Sequence, residues 1–213
     1  MNRFCIFLLS SLLPVESFAQ DSDPSGIYYL QGVMETASGF KLNNDSTFEF
    51  FFSQGALDRT GNGRWSRDRD SIVFHSQGKR TEGFVLLKSE KKPGSKIRIL
   101  IREENKALAG FVYARLIQKT ATEFIPVSAE LMFEWDKAPF SEMELLFELC
   151  PDRTYRFSSA NPEHNYFEFA FDRTICDVYF DELSLKFNGT SLSGQHPLLQ
   201  GTNFTYYREA DQE

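Results

Sequence analysis

The chain is poor in the residues that carry most enzyme chemistry. Only three of its 213 residues are cysteine and three are histidine. The histidines, His75, His164 and His196, lie far apart, with no His-x-His, His-x-x-His or His-Glu-x-x-His spacing. Zinc and copper sites need two to four such ligands converging on the ion, so no metal site is assigned. There is no Gly-x-Ser-x-Gly elbow, no Gly-x-x-x-x-Gly-Lys loop and no Gly-x-Gly-x-x-Gly turn. The usual nucleophile and phosphate cradles are therefore missing, and no catalytic residue or cofactor is assigned. Basic residues are outnumbered, 23 against 30 acidic, for a net charge of -7 and a pI near 5.1. A phosphate-backbone binder needs a basic surface, so nucleic acid is excluded as a partner. No apolar run reaches the roughly 20 residues that cross a bilayer as a helix, so no membrane span is expected. Aromatic side chains are abundant instead. They make up 15% of the chain, 22 phenylalanines among them, within a composition that is 41% hydrophobic and 25% charged. That is a globular composition, with ample material for a core.

The first residues read as an address. Met1-Asn2-Arg3 is a short basic start, and Phe4 to Val15 is an apolar run of 12 residues. Ser17-Phe18-Ala19 then supplies small residues at -3 and -1 of a cleavage before Gln20, the layout of a secretory leader. The chain is accordingly expected to be exported, to the periplasm or the extracellular space, with residues 1–19 removed. Cys5 sits too early to be a lipid-anchor cysteine. Cys150 and Cys176 remain, and in an oxidising compartment two cysteines most simply form one disulfide. Cys150 precedes a Pro151-Asp152 turn and need not face Cys176, so geometry decides the bridge.

Nearly everything else has the two-residue period of strands. Phe48, Phe50 and Phe52 alternate onto one face of Thr47–Ser53, after Asn44-Asp45-Ser46, which is turn chemistry. Ile97, Ile99 and Ile101 repeat the pattern, as do Ala129, Leu131, Phe133 and Trp135, and then Phe167, Phe169 and Phe171. Further strands are expected at Ile27–Met34, Gly63–Arg67, Ser71–Ser76, Phe84–Lys88, Phe111–Gln118, Cys176–Phe180 and Asn203–Arg208. Between Phe180 and Leu183 the apolar phase shifts by one, which calls for a bulge or corner at Asp181-Glu182. Ser141 to Leu149 fits either a short capped helix or an alternating strand, and its neighbours favour the strand. Glu142, Glu144 and Glu148 would then face outward as solubilising charge. Ser89 to Ser95 is charged and ends in Pro93-Gly94, a turn or linker.

Two resemblances follow. Gly26-Ile27-Tyr28, Asp45-Ser46-Thr47-Phe48-Glu49-Phe50 and Gly63-Arg64-Trp65, with the acidic turn Asp68-Arg69-Asp70, resemble the meander of exported bacterial lipocalin-like domains over about residues 26–88. Ile97 to Ile101, the polar turn Glu104–Gly110 and Phe111 to Ala114 resemble the opening of carboxypeptidase-regulatory-like, transthyretin-like sandwiches over about residues 96–150. That second family's downstream glycine turn is absent, since Ser128-Ala129-Glu130 stands where a glycine is expected. The expected fold is all-β, with two linked antiparallel β modules: a lipocalin-like meander or half-barrel over 20–90 and a β-sandwich over 91–213. Residues 26–88 hold too few strands for a closed eight-stranded barrel.

The resemblance points to a ligand pocket whose candidate contacts are Tyr28, Phe50 and Trp65. Arg59, in an apparent loop from Gln54 to Gly63, is a candidate anion contact. The leading expectation is a non-enzymatic binding or interaction module of the envelope or extracellular space, with a protein partner. A carrier of a small apolar ligand is the alternative, and a hydrolase built on His164 and His196 a third.

Overall fold

The structure, a computed structural model, describes residues 22–210 except 56, 79, 81, 119–122 and 137. The expected leader over residues 1–19, with Cys5, lies outside the described residues. The chain enters through five strands: β1 (Gly26–Leu30), β2 (Thr36–Leu42), β3 (Thr47–Gln54), β4 (Leu57–Asp68) and β5 (Ser71–Ser76). Next come β6 (Phe84–Glu90), β7 (Lys96–Ile101), a helical turn α1 (Lys106–Ala109), β8 (Val112–Ile117) and β9 (Ile125–Pro126). They are followed by β10 (Met132–Asp136), β11 (Glu142–Phe147), β12 (Tyr155–Ser158) and β13 (Tyr166–Phe171). Three strands close the chain: β14 (Leu183–Phe187), β15 (Ser191–Gly194) and β16 (Phe204–Arg208).

These strands form a closed eight-stranded barrel in the order β1-β16-β15-β14-β5-β4-β3-β2, antiparallel throughout. Barrel strands consecutive in the chain are neighbours, so the barrel is an up-and-down meander. A second unit, strands β6 to β13, is inserted between β5 and β14, which themselves pair from Leu183↔Phe74 to Lys186↔Ser71. The expected division at residue 90 is therefore corrected. The barrel takes strands from both ends of the chain, which is how it closes despite the shortage of strands in 26–88. Residues 91–95 are a turn inside the second unit, not a linker. Buried Asn165 holds that turn, accepting from Lys92 N (2.7 Å) and donating to Lys92 O (3.2 Å) and Lys96 O (2.9 Å).

The barrel interior follows from strand alternation. Tyr28, Phe40, Phe48, Phe50, Phe74 and Tyr206 point inward and are at most 2% exposed. Their rings fill the lumen: the centroid of Phe40 lies 4.6 Å from Phe74, 4.9 Å from Phe50 and 5.0 Å from Tyr206. A further ring in the lumen, Phe180, is not on a barrel strand. The segment expected as strand 176–180 is a turn followed by irregular chain, docked by Val178 N→Thr60 O (2.7 Å) and Ser76 N→Phe180 O (2.9 Å). Phe180 then reaches 5.2 Å from both Phe48 and Phe50. A corner follows at Asp181-Glu182, with Glu182 at φ 57°, and accounts for the phase shift read from the sequence.

The inserted unit is a sandwich of two four-stranded sheets, β10-β7-β13-β6 and β12-β11-β8-β9. Ile97, Ile99, Phe167 and Phe169 of one sheet share a core with Ala114, Leu116, Leu145 and Phe147 of the other. Phe157 of β12 meets Phe169 of β13 at 4.7 Å. Residues 142–147 are strand, as alternation favours. Glu144 is not solvated, however: it is 1% exposed, clasped between Arg115 (2.5 Å) and Arg156 (2.5 Å) of the flanking strands. Burial alone would raise its pKa, but the two guanidinium partners outweigh burial and hold it below the usual carboxylate value.

Candidate functional site

The residues proposed from sequence as ligand contacts do not converge. Tyr28 is fully buried in the barrel, and its hydroxyl donates to Pro24 O at 2.7 Å. Phe50 is part of the ring-packed interior. Trp65 is half-buried and donates from Nε1 to Asn43 O at 3.1 Å. Arg59 is not in a mouth loop, because Gln54 pairs with Leu57 across a tight hairpin and β4 has already begun. Arg59 and Trp65 are six positions apart on β4, about 20 Å at strand rise, so they mark opposite ends of the barrel.

At the Arg59 end, strand alternation sends the guanidinium inward and out through the barrel base. It is 3% exposed and reaches the inserted unit. Nη1 binds Asp152 Oδ1 at 2.6 Å and Nη2 binds Oδ2 at 3.4 Å, while Nε donates to Cys176 O at 3.1 Å. Arg59 is thus committed to a structural ion pair. Burial alone would raise the Asp152 pKa, but Arg59 more than offsets it and the net shift is downward. Beside Asp152, Arg153 donates to Thr174 O (3.3 Å) and Ile175 O (2.5 Å). Cys150 and Cys176 are free thiols, so the expected bridge is not formed. They nonetheless lie close enough for each thiol to perturb the other. The neighbouring thiol and burial push the Cys150 thiol up, whereas Cys150, with Arg59 and Arg153 nearby, brings Cys176 down to about 7.

The same end of the barrel holds His196, which is 5% exposed among Phe52, Phe204 and Tyr206. Its Nδ1 accepts from Leu198 N (2.9 Å) and Leu199 N (3.0 Å), so the proton of the neutral ring sits on Nε2. Nε2 therefore donates to Ser38 Oγ at 3.2 Å, and Ser38 donates onward to Phe51 O at 3.0 Å. A serine nucleophile needs the opposite tautomer, with Nε2 accepting the hydroxyl proton and Nδ1–H oriented by a carboxylate. Burial lowers the His196 pKa to about 4. The Tyr206 hydroxyl beside it is buried without a partner, since Ser38 is already committed, and burial raises its pKa. His164 lies in the sandwich unit against Ser89 Oγ (2.8 Å) and does not join His196. No group of three or more His, Cys, Asp and Glu side chains among the described residues could hold a metal ion. No helix among them is long and apolar enough to cross a membrane.

A groove opens on the barrel's outer wall. One row of outward positions runs Tyr207↔Tyr29↔Gly39↔Phe51↔Thr60 across β16, β1, β2, β3 and β4. The next runs Ile27↔Lys41↔Glu49↔Asn62. Tyr29 (39% exposed) and Phe51 (37%) meet edge to face at 6.1 Å over Gly39. Gly39 is needed there, because a Cβ would come within 2.6 Å of Phe51 Cε1. Beside the pair is a groove of about 400 Å³, lined by Ile27, Tyr29 and Phe51 with Lys41, Glu49 and Asn62. Sequence reasoning missed this surface because β2 has weak alternation and was not read as a strand. No family model, curated protein sequence or solved structure matches the chain.

Proposed function

We propose that the chain is an exported, non-enzymatic binding protein that engages a protein partner through the outer wall of its barrel. The observation that carries this reading is the exposed aromatic row Tyr207–Tyr29–Phe51 beside the groove, rimmed by Lys41, Glu49 and Asn62. An aromatic centre with a polar rim is the composition of interface hot spots, and protein surfaces seldom expose such rings together. Lys41 and Glu49 pair at 2.9 Å with both side chains about half exposed or more, so the rim offers a donor and an acceptor. The lipocalin-like resemblance would place a carrier's ligand inside the barrel, but the rings there leave the interior occupied. The His196 tautomer gives no support to hydrolysis.

The test is site-specific photo-crosslinking in the native host. A benzophenone side chain at position 29 or 51 is expected to trap one discrete protein species. The same probe at Lys186, which is exposed on β14 elsewhere on the barrel, is expected to trap none. Equal labelling at all three positions overturns the reading.

A further inference from the structure

The two cysteines outside the leader meet where the barrel joins the inserted sandwich, and the surrounding hydrogen bonds hold their turns together. Cys150 closes the turn after β11, with its N–H on Phe147 O at 2.9 Å, and is fully buried. Cys176 ends the turn after β13, whose Ile175 N–H binds Asp172 O at 3.1 Å, and is half-buried against the same core. Arg59 of the barrel grips both turns, through Asp152 two positions after Cys150 and through the carbonyl of Cys176 itself. Arg153 spans the same gap from the first turn to Thr174 O and Ile175 O in the second. The turns that carry the two thiols are therefore held side by side at a fixed place, with Cys150 buried and Cys176 half-buried.

We propose that Cys150 and Cys176 form a reactive dithiol, which an external disulfide converts to an intramolecular bond that staples the sandwich to the chain leading back into the barrel. Cys176 is the attacking group. It is the more accessible sulfur, and two guanidinium groups, Arg59 and Arg153, favour its thiolate over the opposing Asp177 carboxylate. Cys150, beside Asp152 and Tyr155 as well as Arg59, keeps its proton. In the first step the Cys176 thiolate bonds to one sulfur of R–S–S–R, the S–S bond breaks, and RS⁻ leaves and is protonated. In the second, Cys150 gives up its proton and its sulfur attacks Cys176 Sγ, expelling the second RS⁻. Overall two protein S–H groups and one R–S–S–R become one protein S–S bond and two R–SH, and two electrons pass to the external disulfide.

The test treats the reduced full-length chain with glutathione disulfide and locates the products by peptide mapping, which separates Cys5 from the pair. The native chain is expected to give the peptide containing Cys150 joined to that containing Cys176. Cys150→Ser should stop at one glutathionyl group on Cys176, and Cys176→Ser should leave Cys150 unmodified while folded. Alkylation of Cys176 in the native chain should have its midpoint near pH 7, against about 8.5 for an ordinary thiol. The proposal is overturned if the native chain takes glutathione on both cysteines without joining them. It is equally overturned if joining occurs only after denaturation, or if the two serine variants react alike.

Discussion

His196 should make the barrel acid-sensitive by an amount that can be isolated. Its ring is 5% exposed, and Nδ1, the atom that protonation would use, already faces the Leu198 and Leu199 amides. Protonation would therefore set a new N–H against two N–H donors in an aromatic box. Stacking on Tyr206, 6.0 Å away, would favour the cation, but a cation–π contact is worth only about 1 kcal/mol, and burial dominates. The folded pKa is about 4, against about 6.5 in an unfolded chain. Below about pH 6.5 the unfolded state binds the proton first, so stability is full above that pH. It is lost progressively as pH falls through the folded value of about 4 and changes no further below it. The shift converts to a loss of about 3 kcal/mol over that window. His196→Asn is the informative perturbation, because its Oδ1 takes the place of Nδ1 and still accepts from the two amides. The smaller side chain should cost about 1–3 kcal/mol at neutral pH, but the variant should lack the histidine-specific acid loss. Urea unfolding of both proteins, followed by tryptophan fluorescence across this window, measures the gap between them. Carboxylates common to both cancel in that difference. The gap should close as pH falls, and parallel curves would refute the account of the buried neutral ring.

Two further perturbations probe the joint and the lumen. Arg59→Ala leaves Asp152 without its guanidinium and should cost about 3 kcal/mol, whereas Arg59→Met with Asp152→Leu should cost much less. A double-mutant cycle in urea would show it, and additive single effects would deny the coupling. Gly61→Ala should destabilise the barrel by about 1–3 kcal/mol through overpacking, since its Cβ would lie 2.6 Å from Phe180 Cε2 and 2.8 Å from Val178 O. Pairing it with Phe180→Leu should recover part of the loss in thermal unfolding, and no recovery would place the strain elsewhere.

Local pattern carried the fold a long way. The Phe48-Phe50-Phe52 alternation, the Ile97-Ile99-Ile101 alternation and the Ser71–Ser76 strand all appear where the two-residue period puts them. Three things were beyond such a pattern. Gly39 and Ser38 interrupt the apolar alternation of β2, so that strand was not visible, and the outer groove went with it. Arg59 reads locally as half of an Asp58-Arg59 pair, whereas its partner Asp152 is 93 positions away. Glu144 alternates with apolar residues as a solvated strand residue would, but the arginines directly opposite on both neighbouring strands cover it. The first miss is local; the other two are pairings between segments apart in the chain, and which segments become neighbours is not encoded in the period of any one strand.

Barrel closure makes the two units unequal in independence. β5 and β14 are adjacent and antiparallel, so the ends of an insertion emerge close together, and a whole sandwich fits there without disturbing the strand order. The return path is different, because it delivers Val178 and Phe180 into the barrel's own core. Residues 20–90 alone would lack β14, β15 and β16, leaving β1 and β5 as open edges around an unplugged aromatic lumen. Such edges recruit other chains. Residues 82–176 keep every strand of the sandwich, with Ile175 and both cysteine turns. The shorter N-terminal piece is therefore expected to associate and to show no cooperative urea transition, and the sandwich piece to unfold cooperatively as a monomer. A cooperative, monomeric 20–90 fragment would mean that five strands and an open lumen suffice. The C-terminal strands and Phe180 would then be additions to the barrel, not conditions of it.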